Sequence, residues 1–367
     1  MEQGKLKIGI IGCGGIANGK HMPGLAKLDN VEMVAFCDLD LTKAQKAANQ
    51  YGITNARVYE DYQKLLEQET LDAVHVCTPN SSHAEISIAC LEAGLHVMCE
   101  KPMAKTAAEA RAMVEAAEKS GKKLTIGYQN RFRADSLYLQ EVCERGDLGE
   151  IYLAKAKAIR RRAVPTWGVF LDEEKQGGGP LIDIGTHALD LTLWMMDNYR
   201  PKYAVGTVYH KLNKRENAAN AWGPWDPKKF QVEDSAFGFI VMEDGATIIL
   251  ESSWALNTLD EGEAKTFLYG TEGGADMEDG LRINGEEFGR LYTKKPSLDV
   301  GGVAFYAGKK ESPGDLEMRL WIESILNDTE PLVLPEQALV VTEILEAIYD
   351  SARSGRPVYF KNGRKLD

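Results

Sequence analysis

The sequence has no apolar run approaching the roughly 18–20 residues that cross a bilayer, so no membrane anchor is expected. It has no Cys-x-x-Cys pair. Its six cysteines (Cys13, Cys37, Cys77, Cys90, Cys99, Cys143) are scattered and sit mostly in apolar runs. That argues against a disulfide framework or a zinc site and for buried thiols in a reducing, cytoplasmic compartment. A basic excess is also missing. With 43 Lys and Arg against 55 Asp and Glu, the formal net charge is -12, the wrong sign for nucleic acid or an anionic lipid surface. Lys5-Leu6-Lys7 leads straight into a glycine-punctuated run, so no secretory leader is expected. Internal repeats and low-complexity segments are absent. An anionic ligand would have to be held by backbone amides and local cations.

What is present suggests two domains, because 367 residues exceed the roughly 250–300 at which single cores stop growing. The apolar run 6–11 breaks at Gly12-Cys13-Gly14-Gly15-Ile16-Ala17, a G-x-G-x-x-A directly after a strand. Gly12 suits the tight turn, Gly14 lets backbone approach a pyrophosphate, and Ala17 keeps helix and sheet close. Gly15 and Ile16 complete the turn, whose helix offers its first amides to the phosphates. The next run, 31–37, ends at Asp38, near the roughly 20-residue offset of the fingerprint's ribose-binding acid. Asp40 adds a second carboxylate and no arginine follows. A 2′-phosphate is repelled there, so NAD rather than NADP is expected; the plainer reading of Asp38 is a cap for a helix over 42–51.

The alternation continues with a helix over 61–67, a strand over 71–77 ending in Thr78-Pro79-Asn80, and a helix over 82–93. A strand over 95–99, a helix over 106–120 and a strand over 123–128 follow. Strands separated by such helices make a parallel, doubly wound sheet, so 1–128 is read as a dinucleotide-binding domain. Pro102 cannot extend the strand before it. This leaves Glu100 and Lys101 at the carboxyl edge where ligands bind in open α/β sheets, the edge shared by Gly12 and Thr78-Pro79-Asn80. His83 lines the cofactor site or is a hydrogen-bonded histidine at a helix start.

Beyond Tyr128 the pattern changes, and 129–367 is read as a second domain of α+β class. Asn130 and Arg131 lead into a helix over 134–145. Strands follow at 151–159, 204–209, 235–242 and 246–255, with a hairpin turn at Glu243-Asp244-Gly245. Further strands are placed at 265–270, 280–283 and 287–292, which gives a large, open, mainly antiparallel sheet. Its broad apolar face suits an oligomer interface. The segment 213–229 reads as a long surface loop, and 336–354 as the last clear helix.

One stretch of this half carries chemistry: Gly177-Gly178-Gly179, then Asp183, Gly185, His187 and Asp190. The glycines form a flexible or close-approach loop, and Asp183 starts a helix to about 196. Asp183 and His187, at i and i+4, project from one face of its first turn. The plainer readings are a helix cap and a core histidine. No second histidine stands at ligand spacing, so no metal is expected.

In order and spacing these pieces resemble the glucose–fructose oxidoreductase / inositol dehydrogenase / MocA family over essentially the whole length. The resemblance implies a Rossmann domain plus an open-sheet domain, a nicotinamide cofactor, a sugar or cyclitol substrate and a homo-oligomer assembled through the sheet. It places Lys101, Asp183 and His187 on the family's catalytic positions. That fits alcohol oxidation: a near-neutral histidine takes the proton, a lysine stabilises the alkoxide, and an aspartate anchors a hydroxyl. Tyr128, Asn130, Arg131, the Arg160-Arg161-Arg162 triplet and Trp167 are sugar-site candidates, Asn130 also a cofactor-binding one, although the triplet also reads as a solvated strand edge. The segment from Arg160 through Trp167 to the glycines resembles members acting on glucosides, with oxidation at C3 expected. Inositol or amino-sugar dehydrogenation and a non-catalytic NAD(H) sensor are the alternatives.

Overall fold

In the computed structural model, residues 5–298 and 311–366 are described. The chain forms two compact units, Met1–Phe132 with Glu311–Leu339, and Arg133–Lys310 with Val340–Asp367. The change of pattern in the sequence puts a single border at 128/129. The structure instead returns 311–339 to the first unit, for a reason visible in its core. Met318, Trp321 and Ile322, on the helix Pro313–Leu326, pack with Ile8, Met22, Leu25 and Phe36 in one buried cluster. Each such side chain contributes about 1.5–3 kcal/mol on burial. Gly24 lets the helix come close, since a Cβ there would lie 2.6 Å from Met318 Cγ.

The first unit holds six parallel strands, β1 (Leu6–Ile11), β2 (Val31–Cys37), β3 (Arg57–Tyr59), β4 (Ala73–Val76), β5 (His96–Cys99) and β6 (Leu124–Ile126). Their order is β3-β2-β1-β4-β5-β6, that of a dinucleotide-binding sheet whose ligand edge lies at the strand carboxyl ends. The crossover helices are set by local chemistry. Thr106 and Glu109 form a reciprocal capping box at the start of Ala107–Ser120, and Gly121, with φ of 65°, closes it.

The second unit is built on a ten-stranded sheet. Its strands are β7 (Ile151–Ile159), β8 (Pro201–Tyr209), β9 (Ser235–Met242), β10 (Thr247–Ser253), β11 (Gly262–Gly270), β12 (Gly273–Asp276), β13 (Arg282–Glu287), β14 (Arg290–Lys294), β15 (Val358–Lys361) and β16 (Arg364–Lys365). The order is β14-β13-β12-β11-β7-β10-β9-β8-β15-β16, antiparallel except for β7 beside β10. One face is buried: Ala154, Ala156, Ile240, Ile248, Leu250 and Leu268 point inward along their strands, and the helix Thr186–Met196 lies against β7 and β11. Gly206 and Gly238 admit Ile348 of the helix Pro335–Ser354, since a Cβ at either would sit 2.5 Å from it. The loop over 213–229 is less superficial than expected, because Trp225 is buried and donates its indole N–H to the Asn213 carbonyl at 3.1 Å. Among the described residues no helix is long and apolar enough to cross a membrane, and no group of three or more His, Cys, Asp or Glu is placed to hold a metal ion.

Candidate active site

In the first unit the expected residues gather at the carboxyl edge. Gly12 has φ of 93°, and a Cβ on it would lie 2.6 Å from the Cys77 backbone. Only glycine turns the chain there. Gly14 and Gly15 have nothing within 4 Å of where a Cβ would stand, which leaves an open cradle ahead of a helix N-terminus. Asp38 accepts the Cys13 N–H at 2.9 Å through Oδ2 and the Asp40 N–H at 2.9 Å through Oδ1, so it sits beside the glycine turn. Asp40, not Asp38, caps the helix Leu41–Tyr51. These residues fit a dinucleotide: amides and open space for its phosphates, a fixed carboxylate for its ribose. Exposed Ile16 flanks the cradle and buried Ala17 packs beneath it.

Thr78, Pro79 and Asn80 follow β4, and half-buried Lys101 follows β5, just ahead of a cis Lys101–Pro102 peptide. His83 requires a correction. Its Nδ1 faces the Pro102 carbonyl at 2.8 Å and its Nε2 the Thr78 carbonyl at 2.9 Å, so the ring ties two edge loops together and has no nitrogen left for a cofactor. Burial pulls it toward the neutral form, while the two carbonyls favour the charged one. Glu100 is corrected too, because it faces inward. Its Oε1 meets Lys20 Nζ at 2.5 Å and His21 Nε2 at 2.8 Å, and its Oε2 accepts the Lys101 N–H at 3.1 Å.

Lys20 also reaches Glu317 at 3.0 Å, and His21 Nδ1 lies 2.8 Å from His75 Nδ1. This buried cluster escaped sequence reading. The helix after the glycines is wound as a π-helix over Ala17–His21, and the wide turn carries Lys20 and His21 inward where an α-helical reading leaves a solvated face. Burial disfavours the charged forms, and Lys20 repels a second positive charge, so both histidines are held neutral. His21 then donates from Nε2 to Glu100 and accepts at Nδ1 from His75. Burial, the largest single influence, opposes ionisation of Glu100, but the Lys20 ammonium and the His21 hydrogen bond together outweigh it and hold the carboxyl well below its ordinary range. Glu317, left as the second acid on one cation, is pushed up to about 7, mainly by burial.

Tyr128 and Arg131 also depart from expectation. Both are fully buried, and Arg131 donates to Gln337 Oε1 at 2.7 Å and to the Leu332 carbonyl at 3.2 Å. Its guanidinium fastens the returning segment to the first unit, so neither residue offers a surface to a sugar. Asn130 lies half-buried in the 3₁₀ turn Gln129–Phe132.

In the second unit the helix begins at Leu181 as a π-helix, Leu181–Gly185, before Thr186–Met196. Asp183 is therefore inside the first turn instead of capping it. Its Oδ2 accepts the Trp254 indole N–H at 2.9 Å, and buried His187 stands one turn on. Asp190 is buried below them. The capping work falls to Glu233, which accepts the Gly179 N–H at 2.8 Å, the Leu181 N–H at 3.2 Å and the Tyr349 hydroxyl at 2.8 Å. The glycines are there for close approach: a Cβ on Gly178 would lie 2.1 Å from Tyr349 Oη, and one on Gly179 2.3 Å from the Glu233 carbonyl. Glu233 also went unread; a lone acid just ahead of a strand gives no spacing signal. Arg160 forks onto Glu263 at 2.6 and 2.7 Å and stacks over Trp222 at 5.4 Å, so it braces an aromatic instead of reaching for a hydroxyl. Trp167 is 51% exposed.

Residues 6–128 match the family described as an oxidoreductase family with an NAD-binding Rossmann fold, and 136–276 match the GFO/IDH/MocA C-terminal domain. A D-glucoside 3-dehydrogenase of Escherichia coli strain K12 is 36% identical over 98% of both chains. An inositol 2-dehydrogenase of Salmonella typhimurium is 30% identical over 52% of this chain and 55% of its own. The crystal structure of an aldose-aldose oxidoreductase from Caulobacter crescentus, complexed with glycerol, superposes with a TM-score of 0.78 at 26% identity, covering 97% of this chain and all of that one. By two matched domains and a relative aligned along nearly its whole length, the chain belongs to the GFO/IDH/MocA family of NAD-binding oxidoreductases.

Proposed function

We propose that this oxidoreductase takes the C3 hydroxyl of a pyranose glycoside to the ketone, with Lys101, Asp183 and His187 serving the reacting carbon. The full-length relationship to a D-glucoside 3-dehydrogenase is the observation that carries this reading. His187 accepts the hydroxyl proton, Lys101 stabilises the charge growing on the oxygen, and Asp183, held by Trp254, anchors a neighbouring hydroxyl. NAD, cradled by Gly12, Gly14 and Asp38, supplies the hydride acceptor. The products are the 3-oxo-glycoside, NADH and one proton. Asp38 and Asp40 support NAD over NADP, and six free cysteines suit a reducing cytoplasm.

The test is the growth of NADH absorbance with NAD and a panel of glucose, methyl and aryl glucosides, xylose and myo-inositol. Oxidation of glucosides is expected, with Lys101→Ala and His187→Ala losing about 10²–10⁴ in turnover while still binding NAD. Reaction with myo-inositol alone would move the substrate to the cyclitols, and near-normal turnover in His187→Ala would remove it as the base.

We also propose a homo-oligomer through the outer face of the ten-stranded sheet. Val205, Phe239, Ile249, Lys155 and Phe267 align in one cross-strand row, and Tyr209 and Tyr269 flank it, half-exposed. A face this apolar is suited to covering by a second copy. Sedimentation of a Phe239→Glu, Ile249→Lys variant checks it: the variant should sediment at a lower mass than the parent.

A further inference from the structure

Asp183 stands at one end of a continuous aromatic wall in the second unit. Its partner Trp254 packs against Phe170 with ring centroids 6.4 Å apart, Phe170 against Trp167 at 5.9 Å, and Trp167 edge-on against Trp222 at 4.8 Å. Trp254 is fully buried, whereas Trp167 and Trp222 are 51% and 45% exposed. The wall thus leads from the anchoring carboxylate to two indoles that are about half exposed to solvent.

Those indoles are held firmly. The Asn220 side chain clasps Val164 from both sides, accepting its N–H at 2.8 Å and donating to its carbonyl at 3.0 Å. Thr166 Oγ1 donates to the Trp222 carbonyl at 3.0 Å, and the Ala221 N–H bonds the Arg162 carbonyl at 2.9 Å. Arg160, itself fixed by Glu263, lies over the Trp222 ring. Two loops are knitted together to present large apolar rings that ordinary folding would bury. Rigid aromatic faces of this kind bind planar rings and the C–H faces of sugars at small conformational cost.

We propose that Trp167 and Trp222 form a subsite for the aglycone of the glycoside whose sugar ring is anchored at Asp183, selecting substrates with an aryl or second-ring substituent over free sugars. This rests on the function proposed above and names its substrate class more narrowly. The chemistry at the sugar is unchanged; the subsite contributes binding only.

The experiment compares glucose, methyl β-glucoside and phenyl β-glucoside in the parent protein and in Trp167→Ala, Trp222→Ala and Trp167→Phe. The expected result is a loss of about tenfold in kcat/KM for the phenyl glucoside in each alanine variant, carried by KM at constant kcat. Glucose and methyl glucoside should lose far less than the phenyl glucoside, an unchanged melting temperature reports an intact fold, and Trp167→Phe should recover most of the loss. Equal losses on all three sugars, or none on the phenyl glucoside, overturn the subsite. Binding followed by intrinsic fluorescence needs no turnover: phenyl glucoside binding no tighter than methyl glucoside to the parent overturns the subsite by itself. A protein that binds none of the three overturns both proposals, while one that binds and oxidises all three alike overturns only the subsite.

Discussion

Replacing Glu317 with glutamine should remove a loss of stability on going from weakly acidic to neutral pH. Glu317 is buried, and its carboxylate meets Lys20 at 3.0 Å, while the same ammonium serves Glu100 at 2.5 Å. One cation offsets one of two anions, so the second acid keeps its proton up to about 7 in place of its ordinary 4.5. The folded state therefore binds that proton more tightly than the unfolded chain. Between the two values the unfolded chain carries fewer protons, and stability falls as pH rises. The contribution is complete below about 4.5 and gone above about 7. At 1.36 kcal/mol per unit the whole effect is on the order of 3 kcal/mol. Glutamine copies the neutral acid without its titration. Urea unfolding of both proteins at pH 5, 6, 7 and 8 gives the difference, in which the opposite slopes of neutral His21 and His75 cancel. The variant should gain on the parent with each step to pH 7 and level off beyond it. A difference that stays flat, or shrinks with pH, would refute the charge assignment.

Three further outcomes are expected. Gly12→Ala, which needs a Cβ 2.6 Å from the Cys77 backbone at a φ of 93°, should cost about 1–3 kcal/mol and weaken NAD binding by titration calorimetry. Arg131→Met strands Gln337 and the Leu332 carbonyl and should cost about 1–3 kcal/mol in unfolding free energy. Its sugar KM should not move; a rise confined to that KM would restore a substrate role. Glu233→Gln keeps one acceptor oxygen for three donors, so the Asp183 turn should loosen: turnover falls at unchanged NAD affinity, and an unchanged kcat would show that the turn holds itself.

The first sheet was readable because buried parallel strands are short apolar runs divided by helices with their own caps. The exceptions have physical causes. β3 is three residues long and shows no period. β12 reads Gly-Gly-Ala-Asp, against strand propensity, and is a strand because β11 and β13 pair with it on both sides. The helix Pro313–Leu326 did carry a start signal, with Ser312 capping Asp315 ahead of Pro313, but nothing local says that Met318 and Trp321 belong to a core laid down near residue 8. At the site, what the sequence made legible was placement: Gly12 at a turn its backbone demands, and Asp38 and Lys101 just beyond the ends of their strands. Arg131 and Glu100 look like ligands because they are charged and stand next to motifs, whereas the structure buries both against internal partners.

The buried charges gain a purpose from where they attach. Lys20 and His21 lie just beyond the glycine turn, and Glu100 immediately precedes Lys101, so the ion pair joins the glycine loop to the strand end that carries Lys101. A pair this buried gains little net stability over well-packed hydrocarbon, since desolvation consumes most of the attraction. What it supplies is direction: the Glu100 carboxylate, bonded to Lys20, His21 and the Lys101 N–H, has one arrangement that satisfies all three, and an apolar cluster has many. Gly127 marks the same constraint, because a Cβ there would lie 2.9 Å from Glu100 Oε1. A charge cluster retained at such cost beneath the glycine loop and the end of β5 makes sense if it fixes how those two segments stand to one another, and this is why its titration is expected to register in stability before it registers at Lys101.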